Sequence, residues 1–217
     1  MITPPLIPSA HPSAWNTLYR GFEDQEAAAS IFKRDGAACR LCGVQGISRQ
    51  EMFFIDSDRC NLEPSNLVAA CILCAAVQNP MRPYANREML PVWLPEMTQR
   101  ALNVLVRGLH VVRVRLGLPA APEACPTADS QIARMTSAAF LSLAARTIEF
   151  RQRTGMRSPE DLTAFFLRVD RTSGRCPAPL ADGLRFLHRG HYYVGDADRY
   201  TEFLKDELAE RSLSQAA

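Results

Sequence analysis

Histidine is scarce in this chain: His11, His110, His188 and His191 are the four imidazoles among 217 residues. Imidazole general-base chemistry therefore has few residues to draw on. Charge of one sign is missing as well. Lys and Arg number 25 against 23 Asp and Glu, a net charge of +2, so nothing in the composition demands a nucleic-acid partner. No apolar run approaches membrane-spanning length, and the N-terminus has no charged flank before an apolar core, so neither a membrane anchor nor a signal peptide is expected. Internal repeats and a phosphate-binding glycine loop are absent too. Cys60, Cys125 and Cys176 are spaced too irregularly for a disulfide framework, which points to a reducing, cytosolic compartment. What remains, 47% hydrophobic and 22% charged residues, suffices for one large domain or two small ones.

What is present is concentrated between Cys39 and Cys74. Cys39-Arg40-Leu41-Cys42-Gly43 opens the stretch and Ala70-Cys71-Ile72-Leu73-Cys74 closes it, with 28 residues between the two pairs. Doubled C-x-x-C at this separation is the spacing of a four-thiolate zinc site. Two residues between thiolates let one tight turn aim both sulfurs at one ion, and Gly43 supplies the backbone freedom such a turn uses. The second pair completes the tetrahedron, so one structural Zn²⁺ on Cys39, Cys42, Cys71 and Cys74 closes the loop between them. Four buried cysteines or two redox dithiols are the competing readings. Cys60 reads as an incidental thiol rather than a fifth ligand.

Between the pairs, Met52-Phe53-Phe54-Ile55 reads as a strand and Asp56 to Pro64 as a polar loop. Ser65 or Asn66 then caps a helix that runs into the second cysteine pair. Upstream, Met1 to Pro12 is proline-rich and reads as an extended arm, followed by Ser13 as a cap. Glu23 to Arg34 has a helical pattern stopped at Asp35-Gly36. Downstream, Val92 to Glu96 reads as a helix start, with a stripe of Leu102, Leu105, Leu109, Val112 and Leu116 ending at Gly117. Arg100, Arg107, Arg113 and Arg115 lie off that stripe on a solvated face. Leu118 to Pro126 reads as a linker and everything beyond it as helix. Ile132 to Phe150 is one buried helix, Ser158-Pro159-Glu160-Asp161 a capped start for Leu162, Phe165, Phe166 and Val169. Leu180 to His188 is a short helix, and Asp196 or Asp198 caps a last one bearing Tyr200, Phe203, Leu204 and Leu208. The expected fold is α+β but mostly α, a small zinc-bound ββα core wrapped by helices. Residues 1–117 form the zinc module with flanking helices and 127–217 a helical part packed on it as one compact unit.

The strand, loop and zinc-pinned helix resemble the HNH nuclease fold, in which Asp-His ends the strand and Asn-Leu precedes the second C-x-x-C. Asp56 and Asn66-Leu67 match. Ser57 stands where the general-base histidine belongs, and Ala75 and Val77 replace the Asn or His of the second half, so no catalytic residue is assigned. Ser13-Ala14-Trp15, Phe32-Lys33-Arg34-Asp35-Gly36, the two cysteine pairs, Ser65-Asn66-Leu67, Trp93 to Gln99 and Leu102-Asn103 together resemble the IcmJ/DotN family of type IVB secretion systems. That resemblance covers the N-terminal half best. It implies a zinc-binding HNH-like adaptor without nuclease activity, peripheral at the cytoplasmic face of the inner membrane. It also implies a partner, the C-terminal tail of a coupling ATPase, in a complex that recruits effectors or conjugal substrates. The alternative is a divergent HNH nuclease or a zinc module that binds nucleic acid through the Arg100 to Arg115 helix.

Overall fold

A computed structural model describes residues 25–36, 38–45, 49–56, 58, 60–78, 80, 84, 86–122, 130–168 and 182–216, with backbone alone for 25–27, 166–168 and 210–216. The expected N-terminal arm and Ser13, Trp15, His11, Ser57, Cys125, Cys176, Leu180 and Val169 lie outside the described residues. The elements in order are α1 (Gln25–Asp35), β1 (Gln50–Phe54), β2 (Leu67–Cys71), α2 (Ile72–Gln78), β3 (Met89–Trp93), α3 (Gln99–Arg115), α4 (Gln131–Ala144), α5 (Arg146–Thr154), α6 (Pro159–Arg168), β4 (Leu184–His188), β5 (Tyr193–Val194), β6 (Ala197–Asp198) and α7 (Tyr200–Ala216). The protein is α+β, mostly helical, with three two-stranded sheets among the described residues. No described helix is long and apolar enough to cross a membrane.

The chain folds as two units, each built from two segments: Met1–Arg82 with Met156–Asp182, and Pro83–Gly155 with Gly183–Ala217. Residues 1–117 and 127–217, the two parts read from the sequence, each contribute to both units. In the first unit β1 pairs antiparallel with β2, Phe54 opposite Leu67 and Gln50 opposite Cys71. Helix α1 lays Ile31 against Phe54 and Leu67. Gly36, at φ +63, ends α1 in the left-handed region that glycine adopts without strain. Residues Leu67 to Cys71 are a strand rather than the first turns of a helix, which begins only at Ile72. The capping residue is used differently: Asn66 accepts the Asp56 N–H at 2.9 Å and donates to the Asn61 carbonyl at 2.9 Å, folding the polar loop instead of capping a helix. Pairing with β1 then overrides the helical propensity of Ala69 and Ala70. At α6, Ser158 Oγ accepts from Asp161 N–H at 3.2 Å and Asp161 accepts from Ser158 N–H at 3.0 Å, a reciprocal cap at the expected place.

In the second unit β3 pairs antiparallel with β4, from Met89 opposite His188 to Trp93 opposite Leu184. The short helix expected over Leu180 to His188 is a strand over Leu184–His188, and Val92 and Trp93 end a strand ahead of the helix whose start was expected between Val92 and Glu96. Pro91 has no N–H to give a ladder, and it is tolerated because a two-stranded sheet consists only of edges. Helix α3 starts later than expected, with Thr98 as the N-cap accepting from Ala101 N–H at 3.2 Å. Its buried face is Gln99, Leu102, Asn103, Val106, Arg107, His110, Arg113 and Val114. Leu105 and Leu116, expected in the stripe, are 41% and 40% exposed. Polar residues take their place because each finds partners. Arg107 pairs with Glu207 of α7, and Arg113 donates to Ser137 Oγ at 2.9 Å and to the Pro119 carbonyl at 3.1 Å. The core of the unit gathers Val92, Leu94, Leu102, Val106, Phe140 and Leu187. The expected helix over Ile132 to Phe150 is two, α4 and α5. The turn tightens at Ala145, whose carbonyl accepts from Ile148 N–H at 3.0 Å. It is not buried all round: Ile132, Met135, Leu141 and Ile148 are exposed.

Candidate metal centre

The first ligand pair sits on a small turn just after α1. Cys39 N–H donates to the Val44 carbonyl and Gly43 N–H to the Cys39 carbonyl, both at 2.9 Å, and Ala38 bridges to Gln45. Gly43 adopts φ +77, the left-handed conformation this turn requires and a side chain would strain. The second pair straddles the junction of β2 and α2. Cys71 is the last strand residue and Cys74 the third of the helix, so both sulfurs face the same side. Two contacts lock the turn to β2: Arg40 N–H donates to the Ala69 carbonyl at 2.9 Å, and Asp35 accepts the Ala69 N–H at 2.8 Å. Arg34 steadies Asp35 through its Nε at 2.8 Å and reaches the Leu67 carbonyl at 2.7 Å. The Arg34 pair keeps the Asp35 carboxyl below its ordinary range in spite of partial burial.

All four cysteines are buried and none is in a disulfide, and their sulfurs lie within 4.8 Å of one another. Cys42 Sγ and Cys71 Sγ are 3.8 Å apart, far beyond a disulfide. Sulfurs at the corners of a tetrahedron with Zn–S of about 2.3 Å stand about 3.8 Å apart, so the donor set fits a four-coordinate ion. The thiols also answer to one another. Hydrogen bonds from Cys42, Cys71 and Cys74 pull Cys39 far down. Cys71 and Cys74, placed as donors to Cys39 and Cys42 and deeply buried, are pushed up. Four thiolates this close cannot coexist without a cation, and a bound dication removes that conflict by ionising all of them. The cluster is placed to bind a metal ion.

Asp56, directly after β1 and its turn residue Ile55, accepts Asp58 N–H at 2.8 Å and Asn61 Nδ2 at 2.6 Å, so its carboxylate organises the loop. Cys60 is exposed and stands outside the cluster. Of the four histidines only His11 falls in the first unit by sequence, outside the described residues; His110, His188 and His191 belong to the second. Sequence reasoning named the four cysteines that the fold brings together but missed the residues that hold their turns, Asp35 above all. Its place beside a helix-ending glycine suggested only a helix end. It also missed Gln78, whose side chain accepts the Phe54 N–H at 3.0 Å and donates to the Phe54 carbonyl, fastening α2 to β1. No protein-family model matches this chain, and no curated protein matches it.

Proposed function

We propose that this protein is a non-catalytic adaptor whose first unit is held together by one structural zinc ion on Cys39, Cys42, Cys71 and Cys74. The observation that carries the zinc is the buried sulfur cluster with its 3.8 Å edge, a soft donor set suited to Zn²⁺ over hard cations. The closed four-thiolate set leaves no open coordination position for a substrate, which supports a structural rather than a catalytic ion. Asp56 engaged in loop hydrogen bonds and the serine at position 57 support the absence of nuclease chemistry.

The partner rests on the resemblance of the sequence to IcmJ/DotN proteins. On that ground the adaptor binds the cytosolic C-terminal tail of a type IV coupling ATPase and is held at the inner membrane through that complex. Elemental analysis of the purified chain tests the metal, with one zinc per chain expected. Calorimetric titration with the ATPase tail tests the partner, with micromolar or tighter binding and weak salt dependence expected. Failure of every tail fragment to bind, together with steeply salt-dependent duplex binding, would replace this reading with a nucleic-acid one.

A further inference from the structure

The interior of the second unit holds two imidazoles that neither the metal nor the adaptor reading uses. His110 on α3 is 0% exposed and His188 at the end of β4 is 2% exposed, with ring centroids 6.2 Å apart. Tyr200, the first residue of α7, completes the group, its ring 5.3 Å from His110 and 5.1 Å from His188. Its hydroxyl is 3.1 Å from His110 Nδ1. Three elements distant in sequence thus meet through three rings.

Each imidazole has one satisfied nitrogen and one that is not. His188 Nδ1 accepts the Gly190 N–H at 3.3 Å, which puts the proton of the neutral ring on Nε2. His110 uses Nδ1 on Tyr200. Nε2 of both rings is buried and has no hydrogen-bond partner among the described residues. A second proton on His188 would make Nδ1 a donor facing a donor, and an imidazolium at either site would be a buried cation. The surroundings do not welcome one. Around His110, α3 contributes Arg107 and Arg113, and α4 contributes the Phe140 ring at 6.5 Å. Helix α7 brings Glu207, already paired with Arg107. Around His188 stand His191, which opposes a charge, and Asp198, which favours one but already engages His191 at 2.7 Å and the Tyr192 and Tyr200 N–H groups. On the β3 side, Glu88 holds the Tyr193 N–H at 3.0 Å. Burial above all keeps both rings neutral well below the ordinary range, helped at His110 by its neighbours His188, Arg107 and Arg113 and at His188 by His191, with His188 lowered to about 3.

We propose that His110 and His188 form an acid-operated latch on helix α7: neutral, they seat Tyr200 against α3 and β4, and protonation of the pair releases the helix. With α7 released, both rings meet water and regain an ordinary pKa near ~6.5, so the released form binds more protons than the seated one from there down to the folded value. The seated form is therefore fully favoured above that pH and loses ground as pH falls through the window. Each ring raises the release constant about tenfold per pH unit, and the two together about 100-fold.

Hydrogen exchange of α7 in the full-length, zinc-loaded chain between pH 7.5 and 4.5, corrected for intrinsic exchange rates, reads the latch. Release should rise with a slope near two protons, and His188→Gln should cut the slope to about one. Should that variant fold poorly, ring proton resonances of the unmodified chain serve: His110 and His188 should titrate together with helix release. Zinc is followed in the same samples with a chromogenic chelator. Undiminished α7 protection at pH 4.5, ring titration near 6.5 without release, an unchanged slope after both histidines are replaced, or zinc loss preceding release would each overturn the proposal.

Discussion

Two glutamines perform the same task in the two units. Gln78 binds both backbone groups of Phe54, and Gln99 binds both of Phe186, accepting its N–H at 2.7 Å and donating to its carbonyl at 2.8 Å. The β1–β2 and β3–β4 sheets thereby each gain one residue's worth of a third strand, supplied by a helix. Both glutamines are buried, so the match of one donor and one acceptor matters. Gln99→Glu should cost more than Gln99→Ala, because a carboxylate meets the Phe186 carbonyl lone pairs where an amide donated. We expect at least about 1–3 kcal/mol of destabilisation for either variant, measured by urea unfolding. Nothing in the sequence marks these residues, because the glutamine code is a contact across folded elements and not a spacing. The cysteines were legible for the opposite reason, since their chemistry is written in a local spacing. Cys71→Ser should abolish metal binding and leave the first unit unfolded or insoluble, checked by zinc content and circular dichroism.

Among the elements, helices with local caps and the strand at Met52 to Phe54 were readable, and β2, β3 and β4 were not. The reciprocal Ser158–Asp161 cap and the end of α1 at Gly36 are set by neighbours in sequence, whereas β2, β3 and β4 are set by partners 13 to 99 residues away, from Phe54–Leu67 to Met89–His188. Helix α3 was mis-phased because the reading ranked leucine above arginine and histidine for the interior. Arg107, His110 and Arg113 are inside because Glu207, Tyr200, Ser137 and carbonyls of the following turn receive them. The β3–β4 pair has its own close fit. A Cβ on Gly183 would stand 2.2 Å from Trp93 Cζ2, and the Arg153 guanidinium lies 5.0 Å from the centroid of that indole on another side. Gly183→Val should therefore displace Trp93 and shift its fluorescence. Trp93→Phe in the same background should relieve part of the loss; an unchanged emission and stability in Gly183→Val would refute the fit.

For the molecule as a whole, metal removal and chain cutting separate the two units' dependencies. Chelation at neutral pH should open the Cys39–Cys74 loop and deprotect β1 and β2 to hydrogen exchange, with zinc restoring protection and magnesium failing to. Purified protein should not nick plasmid DNA with magnesium, manganese or nickel. Cleavage that persists through purification and vanishes with Asp56→Ala would reverse the non-catalytic reading. A chain cut after residue 117, the boundary the sequence implied, should be poorly soluble, since β3 would lack β4. The interleaving has a consequence for biogenesis. The four cysteines and both strands of the first sheet are synthesised by Cys74, before β3, so the ribosome can deliver a metal-ready segment ahead of the second sheet. Strand β3 emerges next and waits almost a hundred residues for His188 and its neighbours. At roughly 5–20 residues per second, that is on the order of 5–20 seconds of exposed strand edge. Slowing translation between Gly117 and Gly183 should therefore lower the soluble yield, whereas equal slowing before Cys39 should not.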